Sequence, residues 1–224
     1  MDADFSELRI KMVDGQVRTT DVTDAAILDA MLTVPREAFV DEKRRPLAYI
    51  DEDIEIAPPR PGLAARYLME PSPFAKLVQL ADIGARDHVL DVGVGTGYSS
   101  AVVSRLAASV VALESDAELA ARARTLLAET GHGNVTVAVG KLEEGHKAAA
   151  PYDVILIEGA VGQLPETLLA QLREGGRLTV VEGHGNAGVA RLYVKNGGSI
   201  TGRRAFNAAV KPLPGFERTP AFEF

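Results

Sequence analysis

The sequence predicts an α/β protein whose sheet is mostly parallel and covered by helices on both faces. Between residues 72 and 206, short strands that are apolar throughout alternate with segments of helical periodicity. Strands without a polar face are typical of sheets that are buried on both sides. The last two strands are joined by Asn196-Gly197-Gly198, which predicts a hairpin and therefore an antiparallel edge.

An N-terminal helical extension, residues 1–71, precedes this α/β region. Helical spacing of apolar residues predicts helices over 5–14 and 21–33, the second with Asp21 as its N-cap. Residues 41–71 contain five prolines and many charged side chains. Such a stretch is too interrupted for regular secondary structure, so we expect it to form a cover over the active site.

The second region, residues 72–224, is predicted to be one Rossmann-like domain. Its first helix is expected to begin with Ser72 as the cap and Pro73 at the first helical position, and to end near Ile83. Strands and helices then alternate up to the hairpin. Strands are predicted over 88–92, 110–114, 135–139, 153–157, 177–181, 189–194 and 199–206, and further helices over 98–107, 116–130 and 165–172.

Composition argues against several classes of function. The 224 residues include 24 Lys and Arg against 31 Asp and Glu, and this net charge of −7 disfavours nucleic acid and anionic membrane as partners. There is no cysteine, and the four histidines, His88, His132, His146 and His184, lack metal-ligand spacing, so we expect no metal site. The first ten residues lack a signal-peptide core and no apolar run approaches about 18 residues, which favours a cytoplasmic protein.

The most informative segment is Asp91-Val92-Gly93-Val94-Gly95-Thr96-Gly97, which follows a strand and opens a helix. Glycines let a ligand approach the backbone, and a helix N-terminus offers free N–H groups. A dinucleotide fingerprint needs a glycine where Tyr98 stands, so a nicotinamide dehydrogenase is disfavoured. The pattern instead fits S-adenosylmethionine, which has no pyrophosphate. Asp91 is expected either to orient the loop or to meet the cationic methionyl end.

Glu114 ends the next strand, 21 positions after Gly93. A carboxylate at that place can accept hydrogen bonds from both ribose hydroxyls of a nucleoside. Ser99 and Ser100 follow the loop and either cap its helix or touch the carboxylate of the cofactor. The predicted cofactor-binding residues are Asp91, Gly93, Val94, Gly95, Gly97, Tyr98, Ser99, Glu114, Ser115 and Leu142.

Several segments resemble protein-L-isoaspartate O-methyltransferases. Val34-Pro35-Arg36-Glu37-Ala38-Phe39-Val40 resembles that family's V-P-R-x-x-F-V signature, and the glycine loop ending in Gly97-Tyr98 is also similar. Further similar segments are 12–18, 152–155, 165–172 and 175–178. The resemblance implies a class I methyltransferase fold with seven strands. It also implies methyl transfer from S-adenosylmethionine to the free carboxylate of an isoaspartyl residue, the first step in repair of damaged protein.

Two positions depart from that family's pattern. Met69 stands where the resemblance places a Ser beside the substrate carboxylate, and Met has no hydrogen to donate. Glu70, next to it, would repel a carboxylate. Lys141 stands where the resemblance places an Asp near the adenine, and it cannot accept a hydrogen bond from the amino group. Glu143 and Glu144 are the candidate replacements.

The leading interpretation is methyl transfer to a carboxylate on a damaged protein, a peptide or a related acceptor. No catalytic residue is assigned, because a carboxylate attacks a sulfonium methyl without a general base. The alternative is a non-catalytic descendant that binds the cofactor or serves as a scaffold, which Met69 and Lys141 favour. The sequence leaves the oligomeric state open. The predicted substrate residues are Arg66, Met69, Glu70 and Glu158.

Overall fold

The computed structural model describes residues 4–183 and 185–217. Residues 1–3 and His184, which the sequence analysis used, lie outside these ranges. The main sheet has seven strands in the order β5-β4-β3-β6-β7-β8-β9, and β1 and β2 form a separate antiparallel pair. The strands are β1 Ile54–Ala57, β2 Arg66–Leu68, β3 His88–Val92, β4 Ser109–Glu114, β5 Val135–Val139, β6 Tyr152–Val161, β7 Leu172–Glu182, β8 Val189–Asn196 and β9 Ser199–Asn207.

The α-helices lie where the sequence predicts them, with shorter bounds. They are α1 Phe5–Met12, α2 Ala25–Thr33, α3 Pro71–Ala81, α4 Tyr98–Ser104, α5 Ala117–Glu129 and α6 Glu166–Ala170. A π-helical turn over Val13–Val17 continues α1. Short 3-10 turns cover Arg18–Thr20, Arg36–Phe39, Glu42–Leu47, Leu142–Glu144, Lys147–Ala149 and Gly185–Ala187.

The sheet confirms the predicted fold class. Strands β5, β4, β3, β6 and β7 pair in parallel, and β8 and β9 extend the sheet with antiparallel pairs. Gly197 and Gly198 join the last two strands with φ of 59° and 75°, the left-handed values that a type I′ hairpin turn requires. The chain order of the strands reverses between β3 and β6, and ligands of open α/β sheets bind at such a point.

Two predicted helix caps were wrong. The carboxylate of Asp24, not that of Asp21, accepts hydrogen bonds from the first turn of α2, at 2.8 Å from Ala26 N. Asp21 has a left-handed φ of 67° and ends the preceding 3-10 turn. Helix α3 begins at Pro71, where a missing N–H costs nothing. Ser72 therefore lies inside the first turn and does not cap it.

The expectation that residues 41–71 lack regular structure was also wrong. Strands β1 and β2 pair as a hairpin within this segment, with Ile54 opposite Leu68. The alternation of Ile54, Glu55 and Ile56 is the period-two pattern of a half-buried strand, and both isoleucines are buried. We call residues 54–68 the hairpin lid.

Side chains on the two faces of the sheet enter two separate cores. In β3, Val89 belongs to the first core and Leu90 to the second. The first core includes Met31 and Phe39, so the N-terminal extension packs against the same layer as the sheet. The division of the chain at residue 71 stays a prediction.

Arg36 ties the extension to the rest of the chain. Its guanidinium is fully buried and lies 4.8 Å from the centre of the Tyr98 ring. Nε donates to Ala48 O at 2.8 Å, and Nη2 donates to Met69 O at 2.7 Å. One side chain thus satisfies two carbonyl groups that would otherwise be buried without a partner.

We expect Arg36→Ala to lower the free energy of unfolding by about 2–4 kcal/mol, because it leaves these carbonyls unpaired and opens a cavity. Urea denaturation checks this. Arg18→Ala is the control, since Arg18 makes only an exposed pair with Asp14 and should change stability by less than about 0.5 kcal/mol. Equal losses in both variants would contradict the role given to Arg36.

Candidate functional site

The glycine loop lies at the carboxyl end of β3, beside the point where the strand order reverses. Gly93 and Gly95 have φ of 85° and 57°, which other residues adopt only with strain. A Cβ on Gly93 would lie 2.9 Å from Leu213, and one on Gly95 would overlap Ile56. The loop therefore needs glycine both for its conformation and for the close approach of the groups above it.

Glu114, at the end of β4, is fully buried and accepts hydrogen bonds from three backbone N–H groups. Oε2 lies 2.8 Å from Gly95 N, and Oε1 lies 2.8 Å from Ser115 N and 3.0 Å from Asp116 N. Arg66 completes the set through an ion pair with Oε1. The carboxylate predicted to hold a ribose thus joins the glycine loop to the start of α5.

Arg66 lies deeper than the sequence indicates. Its side chain is 4 % exposed, and its two terminal nitrogens donate to Glu114 and, at 2.9 Å, to Gly93 O. The guanidinium therefore fills the space between the glycine loop and the predicted ribose carboxylate. Arg60, from the same lid, pairs with Asp116 and Glu118.

A cavity of about 200 Å³ opens next to Glu114. We call it the nucleoside cavity, and Ser115, Leu142 and Glu143 are among the residues that line it. Lys141 borders it as well, but its ammonium pairs with Glu144 at 3.1 Å on the surface. Of the two candidate replacements for an acidic residue near the adenine, the structure thus places Glu143 in the cavity wall.

Asp91 orients the start of α4. Its Oδ2 accepts hydrogen bonds from Ser99 Oγ at 2.7 Å and Ser100 Oγ at 2.6 Å, so these two hydroxyls neither cap the helix nor stand free. Oδ1 is buried and has no partner among the described residues. Burial raises the pKa of Asp91 to about 6, although the serine hydrogen bonds oppose this shift.

Two cavities of about 10 Å³ each lie on the other side of the loop. One, the acceptor cavity, is lined by Arg66, Met69, Glu158, Lys211 and Asp53 among others. The other, the loop cavity, is lined by the glycine loop and Ser99 together with Met69 and Glu158. Three of the four predicted substrate residues therefore meet at the acceptor cavity.

Two predicted residues lie elsewhere. Glu70 lines a separate surface groove with Ser72 and Lys76, and burial together with the nearby Asp51 raises its pKa to about 7. Tyr98 lies mainly in the first core, where its ring contacts Phe39 and Phe74, and it reaches only the edge of the loop cavity.

The sequence analysis missed the residues that cover the site from the C-terminal segment. Lys211 O accepts from Ala160 N at 2.9 Å, and Leu213 N donates to Ala160 O at 2.9 Å. These bonds extend β6 with a short parallel bridge, which carries Leu213 over Gly93 and Gly159. No local pattern signals a pairing between residues as far apart in the chain as Ala160 and Pro212.

Other classes of site were also sought in the part of the chain that the structure describes. There, no group of three or more His, Asp or Glu side chains is arranged to hold a metal ion. No helix in these ranges has the length and apolar character that a membrane crossing needs.

Comparisons with known proteins agree with one another. The family model of protein-L-isoaspartate(D-aspartate) O-methyltransferase (PCMT) matches residues 9–215. The protein-L-isoaspartate O-methyltransferase of Koribacter versatilis is 37% identical over 211 residues, which cover 94% of this chain and 92% of the relative. That of Protochlamydia amoebophila is 39% identical over 172 residues, covering 77% and 79%.

Two solved structures are similar. A protein-L-isoaspartate O-methyltransferase, 26% identical, superimposes with a TM-score of 0.78 over 93% of this chain and 65% of that one, so the present chain spans about two thirds of its length. A Plasmodium falciparum β-aspartate methyltransferase (PCMT) in complex with S-adenosyl-L-homocysteine is 18% identical, with a TM-score of 0.76 over 95% of this chain and 99% of that one. At that identity the second structure shows a shared fold.

The Arg66–Glu114 pair leads to a prediction on stability. Glu114→Gln leaves a buried guanidinium without its counter-charge, so we expect the free energy of unfolding to fall by about 3 kcal/mol or more. Thermal or urea unfolding measures this loss. Glu118→Gln is the matched control, because Glu118 is an exposed acid in the first turn of α5, only four positions further along the chain. If Glu114→Gln is as stable as the control, the buried ion pair does not form.

Proposed function

The chain belongs to the protein-L-isoaspartate(D-aspartate) O-methyltransferase family, and we propose that it transfers the methyl group of S-adenosylmethionine to an isoaspartyl carboxylate of a protein or peptide. A cytoplasmic location, as the sequence predicts, is part of this proposal. The observation that carries it is the convergence of the glycine loop and Glu114 on one site next to an acceptor cavity that holds Arg66 and Lys211.

The residues of the site fit this cofactor. Glu114 can accept the ribose hydroxyls, and Ser115 and Leu142 border a cavity beside it for the base. The free Oδ1 of Asp91 suits the cationic methionyl end, and the left-handed conformation of Gly93 and Gly95 sets the path of the loop next to it. When bound, S-adenosylmethionine supplies a methyl carbon on a sulfonium; the acceptor oxygen bonds to that carbon while the sulfur keeps the electron pair of the broken bond.

The chain itself mainly aligns the acceptor. Since a carboxylate is already a nucleophile, the protein must hold it in place and exclude water rather than remove a proton. Arg66 and Lys211 supply positive charge in the acceptor cavity, and Met69 supplies an apolar wall. Binding by these two cations replaces the hydroxyl that the resemblance places at residue 69.

Arg66 serves two partners in turn. It lines both the nucleoside cavity and the acceptor cavity, and in the structure it pairs with Glu114. Glu114 would hold the ribose hydroxyls, and Arg66, which already lines the acceptor cavity, would then have its guanidinium free for an anionic acceptor.

The experiment that tests the proposed function has two parts. Calorimetric titration with S-adenosylmethionine measures binding, and transfer of a labelled methyl group is followed to an isoaspartyl peptide and to the same peptide with ordinary aspartate. We expect saturable binding and labelling of the isoaspartyl peptide alone. Binding without transfer to either peptide would favour the non-catalytic alternative, and no binding would overturn the proposal.

A matched pair of glycine variants tests the loop. Gly95→Ala places a methyl group against Ile56 of the hairpin lid at a left-handed φ. The loop and the lid must then shift, so we expect the Kd for S-adenosylmethionine to rise about tenfold or more, or roughly 1.4 kcal/mol. Gly131→Ala carries a similar backbone strain at φ 82° with nothing within 4 Å of the added carbon. It should lose stability without losing affinity. Equal affinities of the two variants would contradict the assigned loop.

A second pair of variants separates acceptor binding from cofactor binding. Arg66→Gln removes a cation of the acceptor cavity and also a competitor for Glu114. We expect the KM for the isoaspartyl peptide to rise about tenfold, while the Kd for the cofactor stays equal or falls. Arg60→Gln keeps both values near those of the unmodified protein. A weaker cofactor affinity with unchanged KM would show that Arg66 only supports the fold.

A further inference from the structure

Glu158 occupies the boundary between the two small cavities. It lies near the end of β6, next to β3, and its side chain lines both the acceptor cavity and the loop cavity. Among the described residues, only Tyr67 and Met69 share this position, and neither has a carboxyl group. Glu158 is thus the one acid among the described residues that borders both cavities.

Its nearest charged neighbour is another acid. Asp91 on β3 and Glu158 on the paired strand β6 are close enough to share a hydrogen bond when one of them is protonated. Oδ1 of Asp91 and Oε1 of Glu158 are buried without a partner among the described residues. Two carboxylates that share a desolvated site cannot both be ionised at low cost. Burial, and then the charge of Asp91, raises the pKa of Glu158 well above its ordinary value.

The other ionisable groups around Glu158 do not neutralise it. Arg36 opposes the shift by its charge, and its Nε and Nη2 donate to Ala48 and Met69, while Nη1 makes no hydrogen bond to Glu158 or to any other described residue. Arg66 shares the acceptor cavity but pairs with Glu114. The remaining ionisable groups that border the two cavities are Asp53, Tyr67, Tyr98 and Lys211. A proton is therefore the simplest way for the acid pair to lose one of its charges.

We propose that Glu158 carries a proton in the cofactor-free protein and releases it to solvent when the cationic methionyl end of S-adenosylmethionine binds. This inference rests on the proposed function. The methionyl end of that ligand carries an ammonium, a carboxylate and the sulfonium, so its net charge is positive, and nearby positive charge favours the ionised form of an acid. S-adenosylhomocysteine keeps the ammonium but lacks the sulfonium charge, so its binding causes fewer protein molecules to lose this proton.

Glu158 is thus a positioning residue that distinguishes the cofactor from its demethylated product. While the charged ligand is bound, the ionised carboxylate attracts it. Once the sulfonium charge is lost, the two carboxylates repel each other and one of them takes up a proton from solvent. The neutralised acid attracts the product less strongly. Because binding releases a proton, the affinity for S-adenosylmethionine rises with pH. The rise falls between the lower pKa of Glu158 in the complex and its raised pKa in the free protein, and it amounts to at most about tenfold per pH unit.

Calorimetry measures this proton directly. Each ligand is titrated at several values between pH 5.5 and 8.5, in buffers that differ in ionisation enthalpy, and the buffer dependence of the heat gives the protons released. The sulfonium lowers the pKa of the amino group in S-adenosylmethionine but not in S-adenosylhomocysteine, so the protons bound by each free ligand are measured at every pH and subtracted before the two ligands are compared. We expect S-adenosylmethionine to release more protons than S-adenosylhomocysteine, by up to about one, with a steeper rise of affinity with pH.

Three variants decide which group provides the proton. Glu158→Gln keeps the shape and a hydrogen-bond donor toward Asp91 but does not titrate, so the difference between the ligands should vanish. Asp91→Asn removes the repelling neighbour and should move the release to lower pH. Glu118→Gln, on the exposed face of α5, should leave it unchanged.

The outcomes separate this inference from the proposed function. Equal proton release by the two ligands in the unmodified protein, or a difference that persists in Glu158→Gln, would overturn the role of Glu158 while leaving cofactor binding established. Absence of binding by either ligand would overturn both. Thermal unfolding of each variant verifies that it is folded at the temperature of the titration.

Discussion

The buried carboxylate of Glu114 is the interaction on which the rest of the site depends. A charge removed from water costs several kcal/mol unless it is fully paired, and here three backbone N–H groups and one guanidinium supply the partners. These bonds join the glycine loop, the end of β4, the start of α5 and the hairpin lid. The lid then places Ile56 over Gly95. The nucleoside cavity is the space that this arrangement leaves open.

Arg36 plays the corresponding role on the acceptor side, and it explains how Met69 is accommodated. Nη2 of Arg36 holds the backbone carbonyl of Met69, so the path of the chain at this position does not depend on the side chain there. A thioether can stand where the family resemblance places a hydroxyl without altering the lid. What changes is the chemistry of the cavity, which has the thioether of Met69 in its wall together with the cations Arg66 and Lys211 and the acids Asp53 and Glu158.

The sequence predicted what depends on local periodicity and missed what depends on long-range contacts. The parallel strands, the glycine loop and Glu114 follow from apolar runs and from the spacing of a few residues. The choice between Asp21 and Asp24 as the helix cap depends on where the π-helical and 3-10 turns end, which no pattern reports. The position of Leu213 over Gly93 depends on a strand pairing between residues far apart in the chain. Arg66 was assigned to the acceptor, and its pair with Glu114 appears only in three dimensions.

At the two ends of the proposed cofactor site, the charges of the buried acids are balanced in different ways. At the ribose end, the chain supplies its own cation, since Arg66 neutralises Glu114. At the methionyl end, the described residues offer Asp91 and Glu158 no such partner, and polar groups left unsatisfied in this way are typical of functional sites rather than of stable cores. An arginine can be displaced only by moving the lid, whereas a proton leaves without any rearrangement of the backbone. The ribose end is therefore suited to couple cofactor binding to acceptor binding, and the methionyl end to respond to the charge of the sulfur.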